Sequence, residues 1–166
     1  MIELPAAVIS EDGLYRYFLS RTWANTGKKI AFIGLNPSTA DATNDDPTIR
    51  RCVQFAKDWG GTSLLMVNLF AYRATKPSVL LDVSDPIGPD NDKWLEKVIR
   101  SADIVIAAWG NHGSLLNRSA AVIERYEDKL QALNMTKMGM PGHPLYIAGT
   151  TLPKPYVEFV SQNLKA

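Results

Sequence analysis

Three runs constrain this chain more than anything else in it: KKIAFIGL (28–35), SLLMVNLF (63–70) and DIVIAAWG (103–110). Each is a nearly continuous apolar stretch of strand length. A strand with one wet face alternates, whereas an unbroken one is covered on both sides, as in a parallel sheet flanked by helices. The stretches between the runs read as those helices. DDPTIRRCVQFAKDWGG offers Asp46 as N-cap, Pro47 at the first helical position and Gly60 as a stop. Its Ile49, Cys52, Val53, Ala56 and Trp59 form one apolar stripe at helical spacing. Residues 90–102 and 115–133 are the later helical candidates, with Trp94 and Val98 read as core.

Strand and helix in alternation predict an α/β fold, a three-layer single domain over residues 1–166 with a mainly parallel four-stranded central sheet. The fourth strand is expected near residues 145–148, and a last helix in VEFVSQNL beyond Pro153 and Pro155. LYRYFLSRTW (14–23) alternates, with Leu14, Arg16, Phe18 and Ser20 on one side, and predicts an antiparallel strand at the N-terminal edge of the sheet.

Composition narrows the function. With 46% hydrophobic and 21% charged residues the chain is ordinary globular material, long enough at 166 residues for one sizeable core. A formal net charge of +1 supplies no global basic field, so a nucleic-acid partner would need a local patch. The single cysteine, Cys52, excludes an intramolecular disulfide and a Cys-based zinc site. MIELPAAVIS lacks the basic start of a signal peptide, and no apolar run approaches a membrane span, so the expected location is cytoplasmic with no membrane partner. P-loop, GxGxxG, GxSxG and HExxH motifs are absent, and the histidines form no i, i+4 pair; no cofactor or metal is expected.

Chemistry-bearing residues cluster where a parallel sheet binds its ligands, beyond the carboxyl ends of the strands. Asn36-Pro37-Ser38-Thr39-Ala40-Asp41 follows the first run, Asn68 and Tyr72-Arg73 the second, Trp109-Gly110-Asn111-His112-Gly113 the third, and Gly142-His143-Pro144 precedes a later apolar stretch. Each has a plain structural reading. Asn36-Pro37 can be an Asx turn, a loop histidine is usually solvated, and Asp46 is accounted for as a cap. Arg50 and Arg51 in a first helical turn can be a solvated face or an anion site. A carboxamide such as Asn68 inside an apolar run must find partners or lose about 1–3 kcal/mol, and Asn pairs bidentately with nucleobase edges. Convergence of several clusters on one crevice outweighs any of them alone.

GLNPSTAD, DDPTIRR, VNLFAYRAT, DPIGPDND and AAWGNHG, in this order, closely resemble the DUF1643 family of small bacterial and phage proteins, over the stretch from about Tyr15 to Tyr146. That family's name records only an unknown function. The order of parts is more distantly similar to the uracil-DNA glycosylase superfamily, which implies a uracil-DNA-glycosylase-like fold. In that superfamily a G-x-[DN]-P strand end positions the attacking water, and Gly34-Leu35-Asn36-Pro37 is similar. A second strand ends in an Asn that reads the base, as Asn68 would; a third ends in Trp-Gly, like Trp109-Gly110; and a His-Pro motif whose His bonds a base carbonyl is similar to His143-Pro144. After Pro144 the chain continues Leu145-Tyr146-Ile147, where the superfamily has Ser-Pro and a wedge loop that enters duplex DNA.

The resemblance implies Asn36 and His143 as catalytic residues, with Asp41 or Asp45 as a base, since a carboxamide accepts no proton. Asn68 would hold a nucleobase edge with Phe70 or Tyr72 on its face. Arg50, Arg51 or Arg73 would bind phosphate, and Pro37, Ser38, Thr39, Asn111 and His112 would complete the binding wall. The expected partner is a nucleotide or nucleic acid, with single-stranded or free nucleotide favoured over duplex because phosphate contacts dominate duplex affinity. The leading expectation is hydrolysis of an N-glycosidic bond. The alternatives are a nucleotide- or modified-base-binding protein without turnover, and a structural or interaction protein.

Overall fold

In the computed structural model, which describes residues 4–164, the three apolar runs lie side by side. Along the chain the elements are β1 (Ala7–Ile9), β2 (Arg16–Thr22), β3 (Lys28–Gly34), α1 (Pro47–Asp58), β4 (Gly61–Asn68), α2 (Asn91–Ser101), β5 (Ile104–Ala107), α3 (Arg118–Tyr126), β6 (Leu130–Ala132), β7 (Lys154–Pro155) and α4 (Tyr156–Leu164). The strands form one sheet in the order β1-β2-β4-β3-β5-β6-β7. β4, β3, β5 and β6 are mutually parallel, while β1, β2 and β7 extend the edges antiparallel. The architecture is mixed α/β with a four-stranded parallel centre.

Strand periodicity sorts the core into two layers. Ile30 and Phe32 of β3, with Leu64 and Met66 of β4, pack with Ile49, Cys52, Phe55 and Ala56 of α1. Their neighbours Ala31, Ile33, Leu65 and Val67 pack on the other face with Leu95, Val98 and Ile99 of α2 and Val122 of α3. Successive side chains of a strand point to opposite faces, so an unbroken apolar run feeds both layers at once. Burying each such side chain contributes roughly 1.5–3 kcal/mol, and this two-sided burial holds β3 in the middle. α1 starts where the sequence predicts: the Asp46 carboxylate accepts from the Ile49 N–H at 2.9 Å, with Pro47 next in the chain. Trp94 stacks on Phe18 with ring centroids 5.4 Å apart, tying α2 to β2.

The chain leaves β3 for β4 on one side, then crosses back from β4 to β5 on the other. Where connections depart in opposite directions a crevice opens beyond the strand ends.

Three expectations are corrected. The fourth parallel strand is β6, not residues 145–148, where Pro144–Tyr146 form a 3₁₀ turn. Pro144 has no N–H for a ladder, and the Leu145 N–H bonds His143 instead. The helix expected over 115–133 is divided into a 3₁₀ segment at Asn111–Asn117, α3, a 3₁₀ turn at Glu127–Lys129, and β6. Leu116 and Asn117 adopt left-handed backbone angles (φ of 53° and 56°), which no continuous helix tolerates. Finally, β2 is not the sheet edge, because β1 pairs along its outer side. No helix of the described residues is long and apolar enough to cross a membrane.

Candidate functional site

The crevice holds a cavity of about 620 Å³. Its floor is the ends of β3, β4 and β5; its walls are the first turn of α1 and the segment 134–147. Asn36, Asn68 and His143 all border it.

Asn68 is the last residue of β4, on the same face as Leu64 and Met66 by strand alternation. It is 2% exposed, and its Nδ2 has no hydrogen-bond partner among the described residues. Its place depends on Gly34, its register partner on β3: a Cβ there would stand 2.6 Å from Asn68 Oδ1. From behind, the buried Asn91 amide donates to the carbonyls of Asn68 (2.9 Å) and Leu69 (3.0 Å). Arg118 Nε donates to the Leu69 carbonyl as well, at 2.8 Å, and its other end pairs with Asp92. The backbone carrying Asn68 is therefore tightly fastened, while the amide it presents is left unsatisfied.

Asn36 is held differently. Its Nδ2 donates to the carbonyls of Ala74 (2.8 Å) and Pro37 (3.1 Å), so both N–H bonds are engaged and the Oδ1 remains as an acceptor. His143 caps the 3₁₀ turn, its Nδ1 accepting from the Leu145 N–H at 3.2 Å. That bond requires a lone pair on Nδ1, which leaves the proton of the neutral ring on Nε2. Burial pushes the His143 pKa below the ordinary histidine value, against the opposing pull of Asp46. The turn is anchored twice. The Gly110 N–H donates to the Pro141 carbonyl at 2.8 Å, and Arg51 donates to the carbonyls of Pro144 and Ile147.

Pro37, Ser38, Asn111 and His112 also border the cavity. Asn111 accepts from the Thr136 hydroxyl at 2.6 Å, across the mouth. The other predicted residues lie elsewhere. Asp41 folds its own loop, accepting from the N–H groups of Thr43 (3.0 Å) and Asn44 (2.8 Å), bonds that also lower its pKa. Asp45 pairs with Arg21 at 2.8 Å. Thr39 is exposed and is not among the residues that border the cavity. Phe70 is completely buried in the α2-side core, and Tyr72 packs edge-on against Tyr15 at 5.8 Å; neither borders the cavity. Arg73 donates to the Gly13 carbonyl, and Arg50 reaches only the Asp45 carbonyl at 3.4 Å. Arg51 lies over the Phe55 ring and holds the His143 turn rather than facing the cavity.

Sequence reasoning missed Arg16, the cavity role of Asp46, and Tyr146. Asp46 caps α1 and borders the cavity at once, so it is the carboxylate on this wall in place of Asp41 and Asp45. Tyr146 is 87% exposed at the cavity and lies 5.6 Å from the His143 ring, an aromatic face where Phe70 and Tyr72 were expected. The available signal was the place of Tyr146 two residues past His143-Pro144, since its exposure shows only in the fold. Arg16 gave none, since its contacts come from residues distant in the chain.

Cys52 is fully buried with its thiol pushed up by desolvation, which makes it a core residue and not a nucleophile. Among the described residues no three His, Cys, Asp or Glu side chains gather as a metal site.

No curated protein and no solved structure matches the chain. The profile of one family, described as a protein of unknown function (DUF1643), matches residues 16–145, from the first residue of β2 to the turn that carries His143. By that match, which spans the whole parallel sheet and every residue bordering the cavity named above except Tyr146 and Ile147, the chain belongs to the DUF1643 family.

Proposed function

We propose that the cavity binds a nucleobase and that the protein hydrolyses the N-glycosidic bond attached to it, in the manner of the uracil-DNA glycosylase superfamily. The observation that carries this reading is the unpartnered Asn68 amide facing the same cavity as an Nε2-protonated His143. A buried amide without partners is costly, by about 1–3 kcal/mol, unless a ligand supplies them. An amide in that position matches the donor–acceptor edge of a base.

The chemistry follows from the atoms available. Water attacks the anomeric carbon, the C–N bond breaks, and its electron pair leaves on the base. His143 Nε2–H donates to a base carbonyl as that negative charge grows, and such preorganised donors usually supply the largest single share of catalysis. Asn36 Oδ1 accepts from the water and orients it. The proton passes to Asp46, whose Oδ1 already accepts the Ile49 N–H but whose Oδ2 enters no hydrogen bond among the described residues. Tyr146 offers its face to the base. The near-neutral net charge of +1 favours a free nucleotide or single strand over duplex DNA.

A second reading, binding without turnover, is favoured by Asn36 itself: both its N–H bonds are tied to carbonyls, and a carboxamide accepts no proton. The test is incubation of the pure protein with uracil-, hypoxanthine- and mismatch-containing oligonucleotides, single and double stranded, and with nucleosides and nucleotides, measuring released base. Release that disappears in Asp46→Asn and His143→Ala is expected. Saturable binding without release would replace the enzyme by the binder, and neither would return the protein to a structural role.

A further inference from the structure

Arg16 opens β2 and is 2% exposed, yet it borders the cavity. Its Nη1 donates to the Ala40 carbonyl at 3.0 Å, its Nε has no partner, and its Nη2 takes part in no hydrogen bond among the described residues. No carboxylate of the described residues lies within ion-pair distance of it. A guanidinium has five N–H donors in a planar fork suited to carboxylate and phosphate. Burying that charge without a counter-charge is strongly unfavourable, so the cavity is where the missing anion belongs. Burial lowers its pKa to about 10, which still leaves it charged at neutral pH. The first turn of α1 shares this wall through Thr48 and Ile49, and a helix start adds positive potential. Asp46 supplies the one opposing charge at the wall, easing the burial of Arg16 from beyond ion-pair distance.

We propose that Arg16 is an anion subsite of the cavity and that the ligand it selects carries a phosphate. This rests on the nucleobase reading above and sharpens it: the substrate class becomes a nucleotide, not a free base or nucleoside. Arg50, Arg51 and Arg73, the arginines that the sequence offers for this task, bond to backbone carbonyls elsewhere.

The test uses inorganic phosphate on the full chain, at constant ionic strength against chloride, read by the side-chain Nε–H resonances of arginine. One resonance, assigned to Arg16 by its loss in Arg16→Lys, is expected to shift saturably with phosphate. Binding should weaken about ten- to hundredfold in Arg16→Gln, the range for hydrogen bonds to a charged group, and less in Arg16→Lys. Asp46→Asn, which keeps a good helix cap, should bind phosphate more tightly because the opposing charge is gone. If Arg16→Gln does not fold, the wild-type resonance and Asp46→Asn decide. An Arg16 resonance that phosphate leaves in place, or an Arg16→Gln chain that binds phosphate as well as wild type, overturns the proposal. Phosphate bound through Arg16 with no nucleobase bound would support this subsite while refuting the functional reading; base release equally fast from nucleosides and nucleotides would do the reverse.

Discussion

Two polar regions lie side by side at the carboxyl end of this sheet, and they differ in what their atoms have left to do. In the loop from Thr39 to Asp46, polar residues are dense but mostly occupied with each other. Asp41 folds the turn, and Arg21 binds Asp45 and the carbonyls of Asp41 and Asn44. On the cavity wall polar residues are fewer, and several are incomplete: Asn68 Nδ2, Arg16 Nε and Trp109 Nε1 are buried with no partner among the described residues. A loop rich in Asn, Thr and Asp can be entirely self-satisfying. Unmet hydrogen-bonding capacity inside a cavity is the stronger sign of a ligand.

Substitutions in the two regions should therefore separate function from stability. The largest effect is expected from His143→Ala, which should slow base release roughly a hundredfold or more while costing only about 1 kcal/mol of stability for the lost turn cap. Comparable release by this variant would move the chemistry elsewhere. Gly34→Ala is next: its Cβ would sit 2.6 Å from Asn68 Oδ1 and 2.8 Å from Met66 Cε. It should displace the amide, costing about 1–3 kcal/mol in denaturant unfolding and weakening nucleotide binding together. Asn91→Leu should cost a similar 1–3 kcal/mol by removing the side-chain donor of the Asn68 carbonyl, while Arg118 still serves the Leu69 carbonyl, again with weaker binding. Asp41→Ala should be smallest, about 1 kcal/mol of stability with binding unchanged; a loss of binding there would erase the contrast.

A pH series sharpens the same contrast. Burial lowers the His143 pKa below 6.5, its ordinary value. Protons then bind the unfolded chain first, so this contribution to stability is complete above about pH 6.5 and declines as pH falls toward the folded value. Binding that needs a neutral ring should persist through neutral pH and break below 6.5. The break should vanish in His143→Ala.

Much of this was legible in the chain. β3, β4 and β5 announce themselves as unbroken apolar runs, and α1 through its Asp46-Pro47 start, because these signals are local. β6 was hidden because three residues, Leu130–Ala132, carry no periodicity; its strand character comes from pairing with β5. The turn at Pro144–Tyr146 was misread because Leu145 and Ile147 look like strand residues while Pro144 and the His143 side chain dictate otherwise. Asn36, Asn68 and His143 could be placed because each stands at the end of a recognisable element or motif. Phe70, Tyr72 and Arg51 could not, since the direction of a side chain just past a strand or within a first turn depends on its neighbours in space. Arg16 was invisible for the same reason, being one polar residue in an alternating strand.

The central claim is that Asn68 holds the edge of a base. Equilibrium binding of a panel of nucleotides with different bases to the wild type and to Asn68→Ala tests it most directly. Saturable binding by at least one member, weakened about tenfold or more in Asn68→Ala, is predicted. A panel in which none saturates the wild type, or in which Asn68→Ala binds equally well, would contradict it.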